Sequence, residues 1–184
     1  MGFPDGVALH RFTTHRDARG SFTEVFRAEW DVGVAPVQWN AVSSEQGSLR
    51  GVHVHLRHDD YLLYLKGRAS VGLRDLRRGS PTEGMSALLE LGEDRLSAIV
   101  IPHGVAHGFY HHEPSLHLYA VSRYWDAADE LGCHWADPDL ELSWPAEPTL
   151  VCEQDATAPS LAELLERIEP WQPIPAASHA AASF

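Results

Sequence analysis

The chain has 184 residues and a formal net charge of −12, with 44% hydrophobic and 22% charged residues. This length suits one well-packed domain better than two. The acidic balance argues against nucleic-acid binding, which needs a basic surface, and no apolar run approaches the roughly 18 residues of a membrane helix. Without a signal-peptide pattern, and with only Cys133 and Cys152, the sequence predicts a cytoplasmic protein with reduced thiols.

Short apolar runs separated by Gly, Pro, Asp and Ser indicate many short strands. The predicted strands cover residues 7–12, 21–26, 37–43, 49–56, 61–65, 69–76, 85–91, 96–101 and 116–122. Turn signals between them favour antiparallel pairing. The pattern predicts an all-β fold of the barrel or jelly-roll type, which can enclose a ligand cavity.

One helix is predicted near the C-terminal end. Ser160 and Glu163 have the spacing of a capping box, and Leu164, Leu165 and Ile168 follow at helical spacing. Pro170 is expected to end this helix. We therefore predict a single domain over residues 1–170 and a disordered tail over residues 171–184.

Six stretches of the chain, in the same order, resemble motifs of the dTDP-4-dehydrorhamnose 3,5-epimerase family of cupin-like nucleotide-sugar epimerases. They are residues 17–24, 38–40, 49–53, 75–82, 101–109, and 135–138 with 144–145. The resemblance implies a cupin-like jelly roll, a homodimer and a dTDP-linked 4-keto-6-deoxy sugar as ligand.

Epimerisation next to a ketone requires a base, stabilisation of the enolate and an acid that returns the proton. The resemblance implies that His53 is the base and that Asp155 orients it. It also implies that eight residues bind the substrate, namely Arg19, Phe22, Glu24, Gln38, Asn40, Arg50, His107 and Trp125. Arg50 is expected to hold the diphosphate. Arg19, Phe22 and Glu24 are expected to contact the nucleotide, from the neighbouring subunit if the chains pair.

The chain departs from the family at three positions. Asp60 stands where the family usually carries a lysine that stabilises enolate charge, and His55 stands where glutamine is common. Trp125 aligns with the general-acid tyrosine, and an indole cannot return a proton. The adjacent Tyr124 is therefore the candidate acid, provided that the strand bulges, because consecutive strand residues face opposite ways.

These departures leave a second interpretation open. His53, His55, Asp60 and His107 reproduce the ligand spacing of metal-binding cupins, and such a set suits a divalent metal ion. Metal ligation would occupy His53, so the base and ligand roles compete.

Three functions follow from the sequence. The favoured one is a cofactor-independent epimerase acting at C3, C5 or both. The second is a metal-dependent cupin enzyme or a nucleotide-sugar ketoisomerase. The third is a degenerate, non-catalytic nucleotide-sugar binder.

Overall fold

The computed structural model describes residues 2–168. The alternation of apolar and polar residues produces short antiparallel strands between Ala8 and Gly132. The strands are β1 (Ala8–Arg11), β2 (Thr14–Asp17), β3 (Gly20–Thr23), β4 (Gln38–Ser44), β5 (Leu49–Val54), β6 (Asp60–Lys66), β7 (Arg68–Asp75), β8 (Ser86–Gly92), β9 (Ser97–Ile101), β10 (Val105–His111), β11 (Ser115–Val121) and β12 (Leu131–Gly132). The α-helices are α1 (Glu153–Ala156) and α2 (Leu161–Ile168), and short 3-10 helices cover Glu93–Arg95, Ala127–Asp129 and Pro138–Leu140.

The strands form two five-stranded sheets and a separate hairpin. The first sheet has the order β1-β9-β6-β11-β4, the second has the order β12-β5-β10-β7-β8, and β2 pairs with β3. Neighbouring strands within the sheets are antiparallel. This arrangement confirms the predicted all-β, cupin-like jelly roll with a short C-terminal helix.

The main apolar core lies between the two sheets. Leu62 and Ile99 of the first sheet pack in one cluster with Val71, Leu73 and Phe109 of the second. Each buried side chain of this size contributes roughly 1.5–3 kcal/mol of transfer free energy. This apolar cluster holds the two sheets face to face. Next to it, polar residues on the same inner faces of the two sheets lie close together.

Helix α2 covers the outer face of the second sheet. Leu161 and Leu164 pack against Val52 and Val54 of β5. The Ser160 hydroxyl accepts the N–H of Glu163 at 3.2 Å, and the Glu163 carboxylate accepts the N–H of Ser160 at 2.8 Å. The predicted capping box is therefore present. Because Val52 and Val54 face the helix, the alternating position His53 faces the other side of the sheet.

Three strands and one helix were not predicted. Strand β10 contains Gly108 and two histidines, so it lacks the β-branched pattern that identified the other strands. Strands β2 and β12 are short and largely polar or small, and α1 has only four residues. The predicted strand over residues 21–26 ends at Thr23. Pro170 and the predicted disordered tail, residues 171–184, lie outside the described residues, and no helix among residues 2–168 is long and apolar enough to cross a membrane.

Candidate active site

Polar side chains from both sheets line a cavity of about 760 Å³ at one end of the jelly roll. The cavity combines apolar walls with a few convergent polar groups, as ligand pockets usually do. Its polar lining includes Arg50, His53, His55, His58, Asp60, His107, His117, Tyr119, Glu130 and Asp155. The sequence-predicted residues within this set are Arg50, His53, His55, Asp60, His107 and Asp155.

His53 and Asp155 form the shortest polar contact of the cavity wall. His53 Nε2 lies 2.7 Å from Asp155 Oδ1, and Asp155 Oδ2 accepts the backbone N–H of Gly51 at 2.9 Å. Strand β5 presents His53, and helix α1 presents the buried Asp155 from a segment 102 residues further along the chain. A carboxylate on one ring nitrogen fixes the imidazole's orientation and tautomer, which leaves Nδ1 as the atom that can exchange a proton.

The contact between His53 and Asp155 also stabilises the charged form of each residue. Burial alone would lower the pKa of His53, but the hydrogen bond and charge of Asp155 outweigh burial and raise that pKa. Burial alone would raise the pKa of Asp155, but the hydrogen bond and charge of His53 lower it. Asp155 therefore stays ionised and stabilises the imidazolium that forms when His53 takes a proton.

Gly51 permits the close approach of β5 to β10 beside this pair. Its φ is +109°, and an added Cβ would lie 2.7 Å from the carbonyl oxygen of His107 and 2.9 Å from the Cα of Gly108. Both contacts involve backbone atoms, so a side chain here would push the strands apart. The Gly51 N–H would then lose its position against Asp155.

Arg50 lies at the cavity wall, and most of its donors have no partner within residues 2–168. Its Nε donates to the Ser44 hydroxyl at 2.9 Å, and one Nη2 proton is donated to the Ser43 carbonyl at 3.0 Å. A guanidinium has five N–H donors, so the remaining ones suit a phosphate oxygen pair. The two bonds to β4 orient the side chain before any ligand arrives.

Tyr119, which sequence analysis missed, is the tyrosine that lines the cavity, whereas the candidate acid Tyr124 is 77% exposed and lies outside the lining. Tyr119 is on β11, and its partner across the pair with β4 is Asn40. Burial, and then the charges of Glu130 and Asp60, raise the pKa of Tyr119, so its hydroxyl stays protonated. Strand β11 ends at Val121, and the chain has left the sheet before Tyr124. The sequence could have revealed Tyr119, because alternate residues of a strand point to the same side, and this places His117 and Tyr119 on one face of the predicted strand 116–122.

Gln38, Asn40 and Trp125 form a connected group near the cavity. The Gln38 side chain donates to Asn40 Oδ1 at 3.0 Å and accepts the backbone N–H of Trp125 at 3.0 Å. The Trp125 indole lines the cavity and donates to Glu130 Oε1 at 2.8 Å. Gln38 and Asn40 are not among the residues that line the cavity.

The β2–β3 hairpin carries predicted nucleotide contacts, but the structure does not bring them to the cavity of the same chain. Arg19 is exposed and bonds Asp17, with Nη2 to Oδ2 at 2.6 Å. Glu24 pairs with Arg27. Phe22 is 64% exposed. These side chains face outward, as a contribution to a neighbouring subunit would require.

The structure gathers three of the four residues of the predicted metal set and leaves His53 out. One ligand atom each from His55, Asp60 and His107 lies within 4.8 Å of the others. All three side chains are buried. His53 instead bonds Asp155, so the predicted competition for His53 does not arise. Burial, opposed by His58, raises the pKa of Asp60 to about 7, and burial lowers those of His55 and His107 to about 2 and about 4.

His58 and Asp129 were also missed. Asp129 accepts the backbone N–H groups of Leu56 and Arg57 at 3.0 and 3.1 Å, and its Oδ2 lies 3.2 Å from His58 Nδ1. Burial alone would lower the pKa of His58, but the Asp129 hydrogen bond and the Asp60 charge raise it. Seventy-one residues separate the pair, and no short-range pattern connects them.

Comparison with known proteins supports an assignment to a family. A sequence model of the dTDP-4-dehydrorhamnose 3,5-epimerase family matches residues 4–163. A dTDP-4-dehydrorhamnose 3,5-epimerase of Sinorhizobium fredii (strain NBRC 101917 / NGR234) is 34% identical over 170 residues, covering 86% of each chain.

Solved structures agree with this assignment. A dTDP-6-deoxy-D-glucose-3,5-epimerase of Legionella pneumophila, in complex with dTDP-4-keto-L-rhamnose, is similar with a TM-score of 0.79 and 31% identity, covering 87% of this chain and 92% of that one. A 3'-monoepimerase of Streptomyces bikiniensis, in complex with dTDP-quinovose, gives a TM-score of 0.81 and 28% identity, covering 90% and 88%. The chain belongs to the dTDP-4-dehydrorhamnose 3,5-epimerase family, a family of isomerases.

Proposed function

We propose that this protein epimerises a dTDP-linked 4-keto-6-deoxy sugar at C3, C5 or both. The observation that carries the proposal is the 2.7 Å contact between His53 Nε2 and Asp155 Oδ1 in the cavity wall. It provides an oriented imidazole whose Nδ1 can accept a carbon-bound proton. The relatives named as epimerases of such sugars support the choice of substrate.

The reaction transfers one proton away and one back. His53 Nδ1 takes the proton next to the ketone, and the electron pair of the C–H bond forms the enolate. The Tyr119 hydroxyl, in place of the predicted Tyr124, then returns a proton to the opposite face. Solvent accepts the proton held by His53 and reprotonates the phenolate, which restores both groups. Asp155 is a positioning residue that acts through His53. Both proton transfers use groups of the protein, so they need no cofactor.

Arg50 is proposed to hold the diphosphate, because its unused guanidinium donors can bind phosphate oxygens bidentately. A homodimer would bring Arg19 and Phe22 of the β2–β3 hairpin, and Glu24 just after it, to the nucleotide of the neighbouring chain. Light scattering tests the dimer, and Arg19→Ala is expected to weaken dTDP binding without altering the mass. A monomer in solution would contradict this part of the proposal. The cytoplasmic location stays a prediction.

Solvent exchange tests the proposal directly. The protein is incubated with dTDP-4-keto-6-deoxyglucose in D₂O, and NMR follows deuterium at C3 and C5. Epimerase chemistry predicts deuterium and inverted configuration at one or both carbons. A product with a ketone at C3 would instead indicate a ketoisomerase. Binding of dTDP without exchange would leave a non-catalytic nucleotide-sugar binder.

A further inference from the structure

Asp60 is a buried carboxylate whose hydrogen-bonding capacity is unused within residues 2–168. It is 5% exposed, and no donor lies within hydrogen-bonding distance of its oxygens there. The closest side-chain nitrogens are His55 Nε2 and His107 Nε2, each 3.9 Å from Oδ2, and His58 Nε2, 3.9 Å from Oδ1. A buried carboxylate that accepts no hydrogen bond is costly, and contacts of 3.9 Å offset this cost only in part, so the arrangement has room for a cation between these groups.

The two imidazoles nearest Oδ2 are oriented as ligands. His107 Nδ1 lies 3.1 Å from the Val105 carbonyl oxygen, and His55 Nδ1 lies 3.3 Å from the Asp129 carbonyl oxygen. A carbonyl oxygen only accepts, so each Nδ1 carries the proton and donates it. Each Nε2 then presents a lone pair towards Asp60. Metal-binding histidines are typically held by a second hydrogen bond of this kind.

The adjacent group of His55, His58 and Asp129 is a different case. The Asp129 carboxylate already accepts two backbone N–H groups and the ring N–H of His58. Its oxygens are therefore satisfied without an ion. Asp129 holds His58 beside Asp60, and the unsatisfied oxygens belong to Asp60.

We propose that His55, Asp60 and His107 bind a divalent first-row transition-metal ion. Two ligands about 2.1 Å from a metal can be separated by up to about 4.2 Å. The 3.9 Å contacts lie within this range. The three ligand atoms, all within 4.8 Å of one another, could close on an ion with shifts of a few tenths of an ångström. Two imidazoles and one carboxylate suit Zn²⁺, Fe²⁺, Co²⁺, Ni²⁺ or Mn²⁺, and three protein ligands leave positions open towards the cavity.

The site is compatible with a catalytic His53, because Asp155 holds that imidazole and the three ligands do not include it. Resting on the proposed function, the ion would add positive charge beside the enolate oxygen. Arg50 is the only lysine or arginine among the cavity-lining residues that the structure describes. A substrate oxygen at an open coordination position is therefore the expected ligand.

Cobalt titration tests the site without measuring catalysis. Chelator-treated protein is titrated with Co²⁺, and visible absorption bands report ligation by nitrogen and oxygen. We expect saturation at one ion per chain. Asp60→Asn should weaken binding by at least about tenfold, in line with losses seen on altering a metal site's supporting groups.

His117→Gln is the matched control, because His117 is a buried imidazole on the same cavity but outside the trio. Near-ultraviolet circular dichroism confirms that each variant is folded. Absence of Co²⁺ bands in the wild type would overturn the proposal, as would equal binding by folded Asp60→Asn or equal losses in both variants. Deuterium exchange without Co²⁺ binding refutes the metal site alone, whereas Co²⁺ binding without exchange refutes the epimerase alone.

Discussion

The turn after β7 and the ligand cavity each bury an aspartate, and the two carboxylates have opposite surroundings. Asp75 accepts bonds from Arg77 Nε and Nη2 at 2.8 Å each, from the Ser80 hydroxyl at 2.7 Å and from the Thr82 hydroxyl at 2.6 Å. Burial alone would raise the pKa of Asp75, but these bonds lower it to about 2. Asp60 has no such partners, and its pKa is raised to about 7.

The difference separates groups that hold the fold from groups that remain available for chemistry. A carboxylate saturated by its own turn stabilises that turn and has little capacity for a ligand. The cavity, in contrast, contains His53 Nδ1, the Tyr119 hydroxyl and the Asp60 oxygens, which have no hydrogen-bond partners among residues 2–168. Substitutions in the cavity should therefore impair activity more than stability, and substitutions in the turn should do the reverse.

The largest effect after loss of His53 is expected for Tyr119→Phe. Removing a general acid should slow inversion by about 10²-fold or more. His53 would still exchange protons with the same face of the carbon, so deuterium should enter the substrate faster than inverted product forms. NMR measures both in one sample.

Tyr124→Phe is the control for this prediction, because Tyr124 is exposed and outside the cavity lining. It should leave the rate unchanged. Loss of inversion in Tyr124→Phe with normal activity in Tyr119→Phe would reverse the assignment.

Asp155→Asn should lower kcat by about 10–100-fold, since an amide cannot stabilise the imidazolium as a carboxylate does. Its Kd for dTDP should stay close to the wild-type value, because Asp155 acts through His53 and does not bind phosphate. Steady-state kinetics and dTDP titration separate the two effects. A parallel loss of dTDP affinity would indicate a structural role instead.

Asp75→Asn should destabilise the protein by about 2 kcal/mol near neutral pH, because it removes a charged acceptor of several hydrogen bonds. The folded-state pKa is below the ordinary value of 3.8, so this stabilisation is complete above pH 3.8 and is lost as the pH falls towards about 2. Denaturant unfolding of both proteins across this range should show the difference shrinking. Deuterium exchange at C3 and C5 of the sugar should be unaffected. A difference in the free energy of unfolding that stays constant down to pH 2 would contradict this prediction.

The smallest expected effect is a gain in stability. Asp60→Asn removes a buried charge that accepts no hydrogen bond within residues 2–168, so it should stabilise metal-free protein by about 1 kcal/mol at neutral pH. Added Zn²⁺ should reverse the order by stabilising only the wild type. Thermal unfolding of both proteins with chelator and with Zn²⁺ measures this change. A less stable Asp60→Asn in chelator would contradict this expectation and would show that the neighbouring histidines stabilise the Asp60 charge.

The sequence predicted the parts of the fold and cavity that depend on local patterns and family motifs. Alternation along β5 placed His53 and His55 on one side, and both line the cavity. The His58–Asp129 contact depends on how two distant loops meet, which no local period encodes. The resemblance pointed to Trp125 and its neighbour Tyr124 and did not identify Tyr119, and strand β11 ends before Tyr124.

Deuterium exchange by His53→Asn is the most direct test of the central claim, that His53 is the base of this cavity. His112→Asn serves as the control, since His112 bonds Ser70 and does not line the cavity. The account predicts that His53→Asn loses exchange at C3 and C5 by about 10²–10⁴-fold. Dichroism and dTDP binding should match the wild type, and His112→Asn should retain exchange. Wild-type exchange rates in folded His53→Asn would contradict the account.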